Sequence, residues 1–182
     1  MTDIPILPQQ LLSPQKLYSR TEILTRPSPV PKLPGVYAWY IHNLPEIVPT
    51  ADCHHHAKLP LAYIGISSNL QKRLKQHLNG PTNLSTLRRT LSSLLIDDLA
   101  LTPQMINKKK FNLGRSEEKL SQWLAQNGSV VWLAHPTPRQ LELIFLNSGL
   151  SLPLNVESNK THPFQMTLKQ LRQSLKAKAS DN

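Results

Sequence analysis

Three short apolar runs along the chain have the composition of strands. GVYAWYI from Gly35 and LAYIGI from Leu61 concentrate Val, Ile, Tyr and Trp, and Pro34 and Pro60 mark where they begin. SVVWLA over residues 129–134 is the third. Elsewhere the apolar positions recur at helical spacing. In SSNLQKRLKQHLN, residues 67–79, Leu70, Leu74 and Leu78 share one face, Ser67, Ser68 and Asn69 offer N-cap oxygens, and Gly80-Pro81 supplies the stop. Leu84, Leu87, Leu91, Leu94 and Leu95 predict a second helix over residues 84–101, with Arg88 and Arg89 close to its apolar face. Residues 117–126 predict a third, closed by Asn127-Gly128. Thr137-Pro138-Arg139-Gln140 reads as a capping-box start to a fourth, ending near Gly149. Residues 167–178 predict a last helix, with Leu168, Leu171 and Leu175 on one side and Lys169, Arg172, Lys176 and Lys178 elsewhere.

The elements are those of an α+β chain, and 182 residues suffice for one core. Before Gly35 the pattern fails. Pro5, Pro8, Pro14, Pro27, Pro29, Pro31 and Pro34 interrupt regular structure repeatedly, so residues 1–33 read as a proline-rich arm with one short helix near residues 14–24. The main domain then occupies residues 34–158, with insertions at 42–60 and about 80–128, and residues 159–182 form a basic helix and tail.

Charge narrows the function classes. Lys and Arg number 21 against 11 Asp and Glu, a net charge of +10 with a pI near 10.0. Such a surplus favours a polyanionic partner, of which nucleic acid is the usual one. Lys108, Lys109, Lys110 and Arg115 crowd one segment, which is either a set of phosphate contacts or a solvated loop. The outer side of the last helix has the same two readings. No apolar run reaches membrane-spanning length and the first residues lack a basic stretch leading into a hydrophobic one, so a cytoplasmic protein is expected. The single cysteine, Cys53, excludes an internal disulfide. It opens the run Cys53-His54-His55-His56, but adjacent ligands rarely close a tetrahedron and no second pair at finger spacing accompanies them.

Two features carry chemistry. Arg73 and His77 lie four apart beside the leucine stripe of their helix, where they can lean over the ends of the first two strands, while Lys72, Lys75 and Gln76 point to water. Glu142 falls among Leu141, Phe145 and Leu146 in helical projection. A carboxylate in an apolar band asks for a cation, either an arginine such as Arg139 or Arg115, or a metal ion.

Taken in order, Gly35-Val36-Tyr37, Tyr63-Ile64-Gly65, Arg73 ten positions after the second tyrosine, His77 four later, Glu142 in its apolar helix and Asn155 in a Pro-Leu-Asn ending resemble the GIY-YIG nuclease family. The resemblance covers residues 34–157. It implies a small, mainly antiparallel three-stranded sheet flanked by helices, and a metal-dependent endonuclease that hydrolyses DNA phosphodiester bonds with one ion. On that pattern Glu142 holds Mg²⁺ or Mn²⁺ near the leaving oxygen, Arg73 clamps the scissile phosphate, and Tyr63 bonds the phosphate or the nucleophile. Tyr37 orients or deprotonates water with help from His77, and which of the two is the base stays open. Asn155 braces the site through its amide or forms a turn. Lys72, Lys108, Lys109, Lys110 and Arg115 are the candidate nucleic-acid contacts, and the N-terminal arm either wraps the core or reaches for DNA. The insertions resemble elaborations of restriction-enzyme members. Double-strand cleavage by one active site would call for a homodimer or two binding events. A DNA-binding module without cleavage, and a nuclease acting on RNA, are the alternatives.

Overall fold

The computed structural model describes residues 8–157 and 159–181. Residues 1–7 of the expected arm, including Pro5, together with Ser158 at the expected domain boundary and Asn182 in the tail, lie outside them.

The three expected strands form, and a fourth joins them. β1 (Gly35–Ile41) is central, flanked by β3 (Leu59–Ser67) and β6 (Gly128–Ala134), and the two-residue β2 (His55–His56) extends the outer edge of β3, giving the antiparallel order β2-β3-β1-β6. The sheet therefore has four strands rather than three. Its extra strand comes from the 42–60 insertion and was hidden because two histidines carry no strand propensity of their own. β1 is buried over its whole length, as a strand covered on both faces must be.

One face of β1 presents Tyr37, Trp39 and Ile41 to the larger core, where they meet Leu70, Leu74 and Leu78 of α3 (Leu70–Asn79), Leu87 and Leu91 of α4 (Thr86–Leu94) and Leu120 and Leu124 of α5 (Glu117–Asn127). The other face presents Val36, Ala38 and Tyr40 to Leu11 and Leu12 of α1 (Gln9–Leu12) and Phe145 of α6 (Pro138–Asn147). Between Trp39 and Tyr40 the register with β3 shifts, a bulge that adds local twist.

The described part of the arm, residues 8–33, packs against the sheet. Tyr18 bridges to Val130 of β6 and its ring lies 4.4 Å from that of Trp132, and the short helix α2 (Arg20–Leu24) starts with a capping box between Ser19 and Glu22. The helix expected over residues 84–101 is shorter than its leucines suggest: α4 ends at Leu94, and turns carry Leu95 and Leu101 into the core. Asp97 and Asp98 follow that end, where carboxylates oppose the helix dipole. Thr137 makes no capping bond at the start of α6, its hydroxyl meeting His135 Nδ1 instead. The lysine-rich segment is the turn of a hairpin between β4 (Gln104–Met105) and β5 (Phe111–Asn112), and the final helix α7 (Gln165–Asp181) packs across α4 and β4.

Candidate active site

The register of β1 against β3 sets Tyr37 opposite Gly65 and Trp39 opposite Tyr63, so both phenols leave the sheet on the face covered by α3. A Cβ on Gly65 would stand 2.4 Å from Tyr37 Oη, so the absent side chain is what lets the Tyr37 ring lie across β3. The two tyrosine rings are 6.3 Å apart.

α3 supplies the next two groups. Asn69 caps it, its Oδ1 accepting from Lys72 N at 2.9 Å, and the leucine stripe docks it so that Arg73 and His77 reach the same phenol. Arg73 Nε donates to Tyr37 Oη at 3.3 Å while its Nη1 donates to the Leu84 carbonyl at 3.0 Å. His77 Nε2 lies 2.8 Å from Tyr37 Oη and its Nδ1 lies 2.7 Å from Ser85 Oγ. With the imidazole proton on Nδ1, the phenol donates to Nε2 and the chain of bonds runs from Tyr37 through His77 to Ser85, whose oxygen also accepts from Arg88 N at 3.0 Å.

The electrostatics follow from burial. Desolvation pushes the Tyr37 phenol above its ordinary 10.0, against the opposing pull of Arg73, and pushes Tyr63 well above the same value. Desolvation, with the Arg73 and Arg88 guanidiniums acting in the same direction, holds His77 well below 6.5. At neutral pH the imidazole is therefore uncharged, and neither tyrosine is a phenolate.

Tyr37, Tyr63, Arg73, Glu142 and Asn155 line one cavity of about 230 Å³, and His77 joins it through Tyr37. Glu142 is buried on α6 and its Oε2 accepts a hydrogen bond from Arg139 Nη1 three residues earlier, one of the two arginine partners its position suggested. Asn155 is held by both ends of its amide: Oδ1 accepts from Ile64 N at 2.9 Å and Nδ2 donates to Ile64 O at 2.7 Å. This closes the outer edge of β3 much as another strand would, beside the bond from Leu154 N to Ala62 O at 3.0 Å.

Four neighbours escaped the sequence reading. Glu157 and Thr86 line the cavity, Ser85 holds the far side of His77, and Arg88 is wholly buried behind it. Glu157 stands two positions after Asn155 and could have been suspected from that spacing. Nothing local marks Ser85 or distinguishes Arg88 from Arg89. Of the candidate contacts outside the cavity, Lys109 and Lys110 border a separate basic cleft, whereas Lys72, Lys108 and Arg115 line neither.

With Asn155 committed to backbone, the carboxylates of Glu142 and Glu157 are the anionic oxygens of the cavity, and among the described residues no three His, Cys, Asp or Glu side chains gather as metal ligands. Such a donor set does not fit a closed zinc site, but it fits a hard ion of the Mg²⁺ type that takes one or two carboxylates and completes its shell with water and phosphate oxygens. The run from Cys53 has other engagements: His54 Nε2 lies 2.7 Å from Leu12 O, His55 Nδ1 lies 2.8 Å from Cys53 O, and the Cys53 thiol faces Pro49 O and Ser151 Oγ. No described helix is long and apolar enough to cross a membrane.

No curated protein and no solved structure matches the chain significantly. A family model does: the GIY-YIG catalytic domain matches residues 35–174, from the first residue of β1 into α7. With more than half its length matched, and with the two tyrosines, the guanidinium and the acid lining one hollow that the imidazole backs through Tyr37, the chain belongs to the GIY-YIG family, whose catalytic domain is that of an endonuclease, a hydrolase.

Proposed function

We propose that the protein is a Mg²⁺-dependent DNA endonuclease that cleaves phosphodiester bonds with a single ion held by Glu142. The observation that carries this reading is the position of the Tyr37 hydroxyl, within reach of Arg73 and His77 on the wall of the cavity that Glu142 also lines. An inert binder has no need of a buried proton-transfer pair facing a carboxylate.

Arg73 binds a non-bridging oxygen of the scissile phosphate, its charge meeting the negative charge that builds on the phosphoryl group. Tyr37 takes a proton from the attacking water as it passes its own to His77 Nε2, so no free phenolate is required. The hydroxide so formed bonds to phosphorus as the bond to the 3′ oxygen breaks, and the departing alkoxide takes a proton from solvent. Burial, and after it the fields of Arg73 and Arg88, make His77 a weak base in the free protein; the phosphodiester charge beside Arg73 offsets the guanidinium part of that depression. Tyr63 hydrogen-bonds the phosphate, and Asn155 acts by fixing the edge of β3 rather than by reacting. A bound Mg²⁺ would stabilise the charge developing on the leaving oxygen. Arg139, whose side chain is 59% exposed, can leave Glu142 for solvent when a cation arrives. Cleavage of both strands would use two copies of the chain or two encounters.

The test is supercoiled plasmid incubated with Mg²⁺ and either the parent protein or Glu142→Ala. Nicking or linearisation by the parent is expected, with none by the variant and DNA binding retained by both. Equal cleavage by the two would remove the metal role of Glu142, and preferential degradation of RNA in direct competition at a fixed salt concentration would move the substrate.

A further inference from the structure

We propose that the cleft between α4, the β4–β5 turn and α7 is a second phosphate-binding site, one that grips the nucleic-acid backbone at a distance from the bond being cut. The proposal rests on the nuclease reading only for the identity of the polyanion. About 300 Å³ of space lies there, bordered by Arg89 from α4, Lys109 and Lys110 from the turn, and Lys169, Arg172 and Lys176 from α7, with no acidic side chain on its walls. None of these six cations takes part in any ion pair among the described residues. A concentration of like charge in one concavity raises the energy of the folded chain and is relieved when an anion enters.

Three elements build the cleft, so it is not a chance of one exposed helix. Phe111 is buried against Leu175 and Ala179, which pins the lysine turn to α7. Lys169, Arg172 and Lys176 follow at spacings of three and four, on one face of that helix. Arg89 closes the far wall, with its Nε buried and without a partner. Arg172 is partly desolvated and feels the repulsion of Arg89 in addition, a cost that no carboxylate in direct contact offsets.

The cleft also adjoins the catalytic cavity. Arg89 Nη2 donates to Thr86 Oγ1 at 3.1 Å, and Thr86 lines the cavity of Tyr37 and Glu142. Arg172 acts electrostatically on Glu157 and Tyr63 of that cavity as well as on Arg89. A strand whose phosphate sits at Arg73 can therefore continue along α4 into the cleft. This sorts the basic residues by position, placing Lys109 and Lys110 on the path and Lys72, Lys108 and Arg115 off its walls.

The test is binding of a fluorescently labelled DNA duplex, followed by anisotropy in EDTA over a range of NaCl concentrations, so that cleavage is not required. Lys169→Gln with Lys176→Gln should weaken binding about tenfold and reduce the slope of log K against log salt by about 2, near 0.9 for each phosphate no longer neutralised. A control pair of equal charge change, Lys58→Gln with Lys160→Gln, should leave the slope within about 0.5 of the parent's. Because all four lysines are exposed, thermal melting should not move. The turn pair Lys109→Gln with Lys110→Gln, which leaves α7 intact, should repeat the loss. Equal effects of cleft and control pairs, or a parent that binds no duplex, would overturn the site. Loss of slope in a protein that cuts nothing under Mg²⁺ would uphold the cleft and sink the nuclease reading, whereas cleavage with an unchanged slope would do the reverse.

Discussion

Among the described residues two arginine–glutamate pairs lie near the candidate site, and they are built in opposite ways. Arg88 is wholly buried: its Nη1 donates to His77 O at 3.2 Å and Ser121 Oγ at 3.0 Å, and its Nη2 to Glu117 O at 3.0 Å and Glu117 Oε2 at 2.7 Å. Glu117 in turn accepts from Thr82 N, Thr82 Oγ1 and Leu113 N at 2.8, 2.8 and 3.1 Å. The other pair, Arg139 with Glu142, joins two residues of the same helix, and its arginine is largely in solvent. One carboxylate has its lone pairs spent on protein donors, tying α3, α4 and α5 together. The other has a replaceable neighbour. Glu117 is half-buried with all its bonds made, whereas Glu142 is buried and bonded to a side chain that solvent can reach.

Breaking the first pair should have the largest consequence for stability. Glu117→Ala leaves a buried guanidinium uncompensated and should cost about 3–5 kcal/mol in denaturant unfolding; a loss below about 1 kcal/mol would erase the contrast. In the candidate site, Tyr37→Phe removes the hydroxyl shared by Arg73 and His77 and should lower the plasmid cleavage rate about 10²-fold or more, while leaving His77 Nε2 unsatisfied at a cost of about 1–3 kcal/mol of stability. A Tyr37→Phe protein that cuts at the parental rate would make the Tyr37–His77 contact structural only.

The contrast can be sharpened by pH. Because His77 in the folded chain titrates well below 6.5, the unfolded chain binds a proton that the native one refuses, and the native state loses stability as pH falls below about 6.5. The slope from this group approaches about 1.4 kcal/mol per pH unit and ends once the folded imidazole itself titrates. Urea midpoints between pH 7 and 5 should fall more steeply for the parent than for His77→Gln, and parallel lines would refute the assignment. The smallest effect belongs to the looser pair. Arg139→Ala should change stability by about 1 kcal/mol or less and lower the Mg²⁺ concentration needed for half-maximal cleavage, since one competitor for Glu142 is gone.

Much of this architecture was legible in the chain because it is written in local periodicity. The runs at Gly35, Leu61 and Ser129 became strands, and the leucine stripe at Leu70, Leu74 and Leu78 both forms α3 and aims Arg73 and His77. What could not be read depends on residues distant in the chain. Arg88 and Arg89 are adjacent and chemically alike, yet one lies beneath His77 and the other borders an open cleft, a choice made by a single 100° step around α4. Two histidines become an edge strand because Leu59 and Pro60 lie beside them, not through any preference of their own. The leucines that seemed to prolong α4 are buried as expected, but by turns, since Asp97 and Asp98 stand where a helix would end badly. For Glu142 the pattern foretold a cation, and only the fold could show that in the free protein it is a neighbour one turn away.

The amide of Asn155 has one more consequence. It is the group that satisfies both main-chain atoms of Ile64, and it arrives 91 residues after them. A nascent or truncated chain ending before that point would already carry Tyr37, Tyr63, Arg73 and His77, yet the stretch of backbone beneath them would be exposed to water on its outer side. Synthesis thus delivers Tyr37, Tyr63, Arg73 and His77 well before the amide that clasps the strand edge beneath them.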